Sequence, residues 1–269
     1  MYGIIIAFKD YRASLGILGS PWAGLKHFQS FFNSSMFFTT IRNTLSISLY
    51  GLAAGFPIPI LLALGINQMK PGPFRKTFQV AIYLPHFIST VVMVGMILIM
   101  LSPSAGFTGI VFNMLGKEAP NLMGRPEFFI HIYVWSGIWQ GAGWGSIVYL
   151  AALAAVDPEL YEAATVDGAS RMQKIRCIDI PILLPTVVIL LILNAGSIMG
   201  VGFEKIYLMQ NARNIMHSEV IATYTYKMGL INAQYSFSAA VSFFNTAVNF
   251  IILVLVNQTA RRLSENSLW

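Results

Sequence analysis

Residues 156–185 read VDPELYEAATVDGASRMQKIRCIDIPILLP, a charged island between long apolar runs. It holds five of the eleven acids in the chain, Asp157, Glu159, Glu162, Asp167 and Asp179, together with Arg171, Lys174 and Arg176. An ionised side chain costs at least a few kcal/mol in hydrocarbon, so the island is an aqueous loop between two membrane spans. Its local chemistry describes two short helices. Asp157 is the N-cap of the first, Pro158 fits its first turn, and LYEAA is a helix-forming run. Gly168, in the DGAS turn, stops it at a positive φ that a Cβ would disfavour. A second helix is expected from about Ser170 to Ile180, ending at Pro181.

Working outward, the flanking sequence is that of an integral membrane protein. The 269 residues are 56% hydrophobic and 10% charged, against about a quarter charged in a soluble domain. Charge-free runs at Asn43–Met69, Thr77–Gly116, Phe128–Val156, Ile180–Phe203 and Met228–Ala260 each exceed the roughly 20 residues that a helix needs to cross a bilayer. Five full spans follow, in an all-α polytopic bundle. Met1–Phe8 (MYGIIIAF) is apolar but too short to span at ~1.5 Å per residue. The turn NQMKPGPFRK at residues 67–76 is densely basic and belongs in the cytoplasm. Lys9–Met36, Ser102–Glu127 and Phe203–Tyr235 are then extracytoplasmic, the first two broken by Gly and Pro into irregular structure. The net charge of +6 comes from Lys and Arg at span ends, where they anchor to headgroups, so nucleic acid is not an expected partner. Cys177 is the single cysteine, which excludes a disulfide framework and a Cys-based metal site.

The order Glu162-Ala163-Ala164, Gly168, then Ile180-Pro181 resembles the EAA loop of type I ABC importer permeases. YLPHFIS (Tyr83–Ser89), GLKHF (Gly24–Phe28) and MYGIIIAFKDY resemble the LplB-like polysaccharide and oligosaccharide permeases, within a wider class that includes MalF/UgpA-like sugar permeases. The resemblance implies the type I permease fold, five full helices following the end of an incomplete first one. Residues 1–36 would hold that helix end and an extracytoplasmic segment, 37–260 the permease domain with its coupling loop at 156–181, and 261–269 a cytoplasmic tail; on this reading the chain begins late. It implies that Glu159, Glu162, Ala163, Ala164, Asp167, Gly168, Ala169 and Pro181 make the contact with an ATPase. The implied partners are a second, different permease chain, two ATPase subunits carrying ATP and Mg, and an extracytoplasmic binding protein. The implied location is a bacterial cytoplasmic membrane, the substrate class is carbohydrate, and the mechanism is alternating access. An importer of another polar solute (polyamine, phosphodiester, peptide) and a non-transport membrane protein whose loop docks a soluble partner are the alternatives.

The residues themselves supply no catalyst. There is no G-x-x-x-x-G-K-[ST], H-E-x-x-H, C-x-x-C or G-x-S-x-G, and no acid pair within a span, so ATP hydrolysis is borrowed and no cofactor or metal is held by this chain. Candidates for the solute pathway are polar or aromatic groups within spans. Trp139 and Trp144 offer flat faces on which sugars stack, packing being the other reading. Ser238, Ser242, Asn245 and Asn249 form a stripe at helical spacing, and Asn194 and Ser197 lie three apart on the preceding span. They face either the pathway or a neighbouring helix, since a bare amide in hydrocarbon is costly. Gly51 and Gly55 suit close helix contact, Pro57 and Pro59 predict a kink, and His86, with no acid or second His nearby, is read as a structural hydrogen-bonder.

Overall fold

A computed structural model of the chain describes residues 3–263. Met1 and Tyr2 of the expected N-terminal stub and residues 264–269 of the expected tail lie outside the described residues. The described chain is helical, and its one strand-like pairing is an isolated bridge between Lys9 and Trp22. The principal helices are α1 (Phe37–Gly55), α2 (Pro57–Asn67), α3 (Pro73–Tyr83), α4 (Thr90–Met100), α5 (Pro126–Ala154), α6 (Pro158–Val166), α7 (Arg171–Lys174), α8 (Ile180–Gly196) and α9 (Tyr235–Leu263).

Among the described residues, three helical stretches are long and apolar enough to cross a membrane: Phe37–Asn67, Arg171–Gly196 and Tyr235–Arg262. The pair Pro73–Phe87 and Thr90–Met100 makes a fourth if the bend between them lies within one span. The remaining expected span, Phe128–Val156, is a helix, α5, of 29 residues, but it is not among the stretches apolar enough to cross a membrane, because Trp, Tyr, His, Gln and Gly dilute its apolar character. Pro57 and Pro59 do not interrupt the first stretch. Pro57 opens α2 and Phe56 keeps helical angles, so α1 and α2 count as one 31-residue helix although Pro57 offers no N–H to the turn before it.

The expected third helix, Phe78–Leu101, is divided. Leu84–Phe87 is a 3-10 turn, and Ile88 is extended with ψ 125°. Leu84 keeps α-helical angles, so Pro85 acts by removing a backbone donor from the turn, and the chain leaves the helix at Ile88. The segments expected to be extracytoplasmic are also more ordered than Gly and Pro suggest, with helices at Lys26–Phe32, Phe107–Met114, Phe203–Met209 and Ile221–Tyr226.

The chain forms two compact units. Among the described residues the first comprises residues 3–49, 90–133 and 197–252. One of its cores is built from Val94, Phe129, Ile206 and Val220, and another from Phe31, Ile221, Phe237 and Val241. Two of its buried polar groups are well paired: the Asn43 amide donates to the carbonyls of Met216 and Glu219, and Glu219 pairs with Lys227 while accepting from Thr223.

The second unit comprises residues 50–89, 134–196 and 253–263 of the described chain. Its core is Ala63, Leu64, Tyr149, Leu153 and Leu183, with Ile175 and Val187 against it. Here α5 runs so close to α3 that a Cβ on Gly143 would collide with the Ile82 carbonyl. Of the expected small pair, Gly55 packs on Ile138, whereas Gly51 faces open space.

Candidate functional site

The charged island folds as its capping chemistry dictates. Asp157 caps α6 by accepting from the Glu159 amide at 3.0 Å, with Pro158 in the first turn. At the other end, Ala169 N–H donates to the Ala164 carbonyl and Gly168 N–H to that of Thr165. These are the two bonds of a Schellman motif, which requires a left-handed residue after the helix; Gly168 supplies it with φ +75°. Ser170 then caps α7 in a reciprocal capping box with Gln173, satisfying two otherwise orphaned donors. The Lys174 ammonium donates to Thr165 Oγ1 at 2.6 Å and ties the two short helices together.

The expected stop at Pro181 does not occur. The chain passes from α7 through a π-helical turn, Ile175–Asp179, directly into α8, which contains both Pro181 and Pro185. A π turn leaves a carbonyl without its usual i+4 donor, and a proline, having no N–H to offer, fits behind it without further loss.

Helix α6 has two faces. Glu159, Glu162, Ala163 and Val166, spaced three, one and three, are exposed, as are Asp167 and Gly168 beyond them. Val166 is 89% exposed, unusual for a branched apolar residue. Ala164 and Ala169 are half-buried, closing the Schellman turn, so the small surface expected from Ala163, Ala164 and Gly168 is divided between the two faces. Among the described residues, Glu159, Glu162 and Asp167 take part in no ion pair.

The inner face carries what sequence reasoning missed. Asp179, in the π turn, is wholly buried. Its carboxylate accepts from Tyr161 Oη of α6 at 2.5 Å, from Asn67 Nδ2 of α2 at 3.3 Å, and from Gln68 Nε2 at 2.8 Å. Asn67 Nδ2 also reaches Tyr161 Oη, at 3.2 Å. Burial, and then the carboxylate it serves, push the Tyr161 hydroxyl up to about 12, so it stays a donor at any physiological pH. Asp179 directly abuts the apolar run of a span, but so do Glu127, Asp157 and Glu204, so position in the sequence did not set it apart; its burial depends on partners 18 and 111 or more residues away.

The pathway candidates separate by unit. In the second, the Trp144 ring lies flat on His86, with centroids 4.6 Å apart and planes 3° apart, and Phe87 meets it edge-on. One face of Trp144 is thus occupied by the helix break at residues 84–89, and Gln140 holds the same break by donating to the Ile88 carbonyl. Trp139 is half exposed, and Asn194 is exposed with its amide turned back to the Leu190 carbonyl. In the first unit, Ser197 and Ser242 are exposed. Asn249 accepts the Met199 N–H at 2.9 Å, and Ser238 donates to the Thr225 carbonyl at 3.0 Å. Asn245 Oδ1 is buried with no hydrogen-bond partner. A cleft of about 470 Å³ in this unit is lined by Asp10, Arg12, His27 and Tyr235 but by none of these candidates.

Membrane-length apolar helices joined through a capped, charged loop are the architecture of a polytopic membrane subunit. Residues 55–265 match the binding-protein-dependent transport system inner membrane component family; the chain belongs to that family and is a permease subunit of an ABC transport system, not an enzyme. It is 42% identical over its whole length to the polygalacturonan/rhamnogalacturonan transport system permease protein YteP of Bacillus subtilis (strain 168), covering 84% of that relative. It is 36% identical to protein LplB of the same organism, again over its whole length and 85% of the relative. Among solved structures, a bacterial alginate ABC transporter, crystallised in complex with an alginate pentasaccharide-bound periplasmic protein, contains a chain that is 40% identical. It superposes with a TM-score of 0.90 over 99% of this chain and 88% of that one.

Proposed function

We propose that this permease imports fragments of an acidic polysaccharide across a bacterial inner membrane, driven by ATP hydrolysis on partner subunits. The observation that carries the substrate class is end-to-end similarity to a polygalacturonan/rhamnogalacturonan permease and to the permease of an alginate transporter, whose polymers are rich in uronic acids. An extracytoplasmic binding protein delivers the solute, and this chain and a second, different permease chain line the way through. Two ATPase subunits hold ATP and Mg. The exposed face of α6, with Glu159, Glu162, Ala163 and Val166, seats in the ATPase, and Asp167, Gly168 and Ala169 fix its angle through the Schellman turn. Closure of the ATPase pair moves α6, and Pro181 begins the span that carries this motion into the bilayer. Among the pathway candidates Asn245 is the one whose buried oxygen has no protein partner, and it is the group that solute would satisfy once the pathway opens.

The test uses the purified complex with its binding protein in liposomes. Oligogalacturonate should stimulate ATP hydrolysis and enter the vesicles, whereas a neutral maltooligosaccharide of equal length should do neither. Equal stimulation by both, or by the neutral sugar alone, would reject the acidic class.

A further inference from the structure

We infer that Asp179 is a positioning residue for energy coupling, a latch that makes the docking helix, the end of α2 and the foot of α8 move as one body. The inference rests on the importer reading above. A buried carboxylate costs several kcal/mol unless its oxygens are well bonded. Around Asp179 the donors are neutral, and they come from separate elements: Tyr161 from α6, and Asn67 and Gln68 from the end of α2. Asp179 itself stands at the foot of α8. Three elements therefore meet at two oxygen atoms.

Packing alone would not choose this residue. Ile175 and Leu183, four positions before and after it, join the apolar core of the same unit, and an apolar side chain at 179 would extend that core. A carboxylate with directed donors fixes orientation in a way that an apolar contact does not, since hydrogen bonds have preferred angles and dispersion contacts do not. The π turn adds a second, independent observation. Such turns are rare, recur at functional sites, and re-aim the residues they contain; this one carries Asp179 at its last position and turns it inward, while Arg176 and Cys177 of the same turn stay exposed. A displacement applied to the outer face of α6 is thus passed through Tyr161 to Asp179 and on to α8, with α2 drawn along by Asn67 and Gln68.

The test compares Tyr161→Phe, Asp179→Asn and the exchange pair Asn67→Asp/Asp179→Asn in the assembled complex. Tyr161→Phe deletes one hydroxyl on the inner face and leaves the docking face intact. Both single variants should assemble and hydrolyse ATP, yet import at least about tenfold less sugar per ATP, the population shift expected from losing one hydrogen bond to a charged group. The exchange pair restores a donor facing an acceptor and should recover much of the ratio. Hydrogen exchange, read without sugar, should show residues 158–166 and 60–68 losing protection together in Tyr161→Phe. Import per ATP at the wild-type value in every assembled variant, or lost protection confined to residues 158–166, would overturn the latch. A wild-type complex that ignores sugar while Tyr161→Phe still loosens both segments would instead reject the importer reading and keep the latch.

Discussion

Gly168 and Lys205 show how single residues hold backbone and charge in this protein. At Gly168 the backbone is left-handed, φ +75°, with no atom near a prospective Cβ. A side chain there meets conformational strain and no clash. Gly168→Val should therefore destabilise the loop by about 1–2 kcal/mol, releasing the Ala164 and Thr165 carbonyls. Faster proteolysis between residues 164 and 172, with the rest of the chain still protected, would register it. Lys205 is held by burial. Its ammonium donates to the Tyr133 carbonyl at 2.7 Å and lies 4.6 Å above the Tyr133 ring centroid, and desolvation pulls it down to about 8. The unfolded lysine keeps its proton to about 10.4. Between those values the unfolded chain binds more protons than the folded one, so stability rises with pH from about 8 to 10.4. Thermal unfolding in detergent should show that rise in the native protein and not in Lys205→Met.

At the scale of elements, the helices were legible wherever a rule is local. Asp157, Pro158, Gly168 and Ser170 act within four residues of themselves, and the structure places each as capping chemistry requires. Pro181 was misread because a proline stops a helix only if its neighbours keep α-helical bonding, and the π turn before it changes that bonding. The break at residues 84–89 was hidden inside a continuous apolar run, although Pro85 marked it. The approach of α5 to α3 at Gly143 depends on a partner far away in sequence, which no periodicity reveals. Helix α9 is the instructive mixture: its polar stripe was visible, but its members do different work. Asn249 caps the Met199 N–H and Ser238 serves the Thr225 carbonyl, whereas Asn245 Oδ1 is buried without a partner. Asn249→Leu should then cost about 1–3 kcal/mol by orphaning a donor, lowering the melting temperature. Asn245→Leu should leave stability unchanged or raised and cut import. Melting curves and uptake measured on both variants check the pair; the same loss of stability in each would make the stripe wholly structural.

For the whole molecule the informative quantity is where charge sits against the net value. The chain carries +6 overall, yet residues 157–170 hold Asp157, Glu159, Glu162 and Asp167 and not one Lys or Arg. A basic protein therefore presents an acidic helix, the one proposed to dock, with an exposed valine, Val166, among the acids. The arrangement fits an ATPase surface that is basic around an apolar socket. Its charges at the rim set approach and register, and the buried apolar contact supplies most of the affinity. These two contributions separate in salt. Glu159→Lys/Glu162→Lys should slow association with the ATPase most at low ionic strength, where the Debye length is long, and approach the wild-type rate near 1 M salt, where it falls to about 3 Å. Val166→Ser should weaken retention of the ATPase at every salt concentration, by about 1–2 kcal/mol if the side chain becomes fully buried on docking, an order of magnitude in dissociation rate. Surface plasmon resonance with the permease complex immobilised measures both. If the lysine pair behaved like wild type at all salt concentrations while Val166→Ser still released the ATPase, the acids would belong to the solvated face of an apolar contact, and the register of docking would have to come from the turn at Gly168 alone.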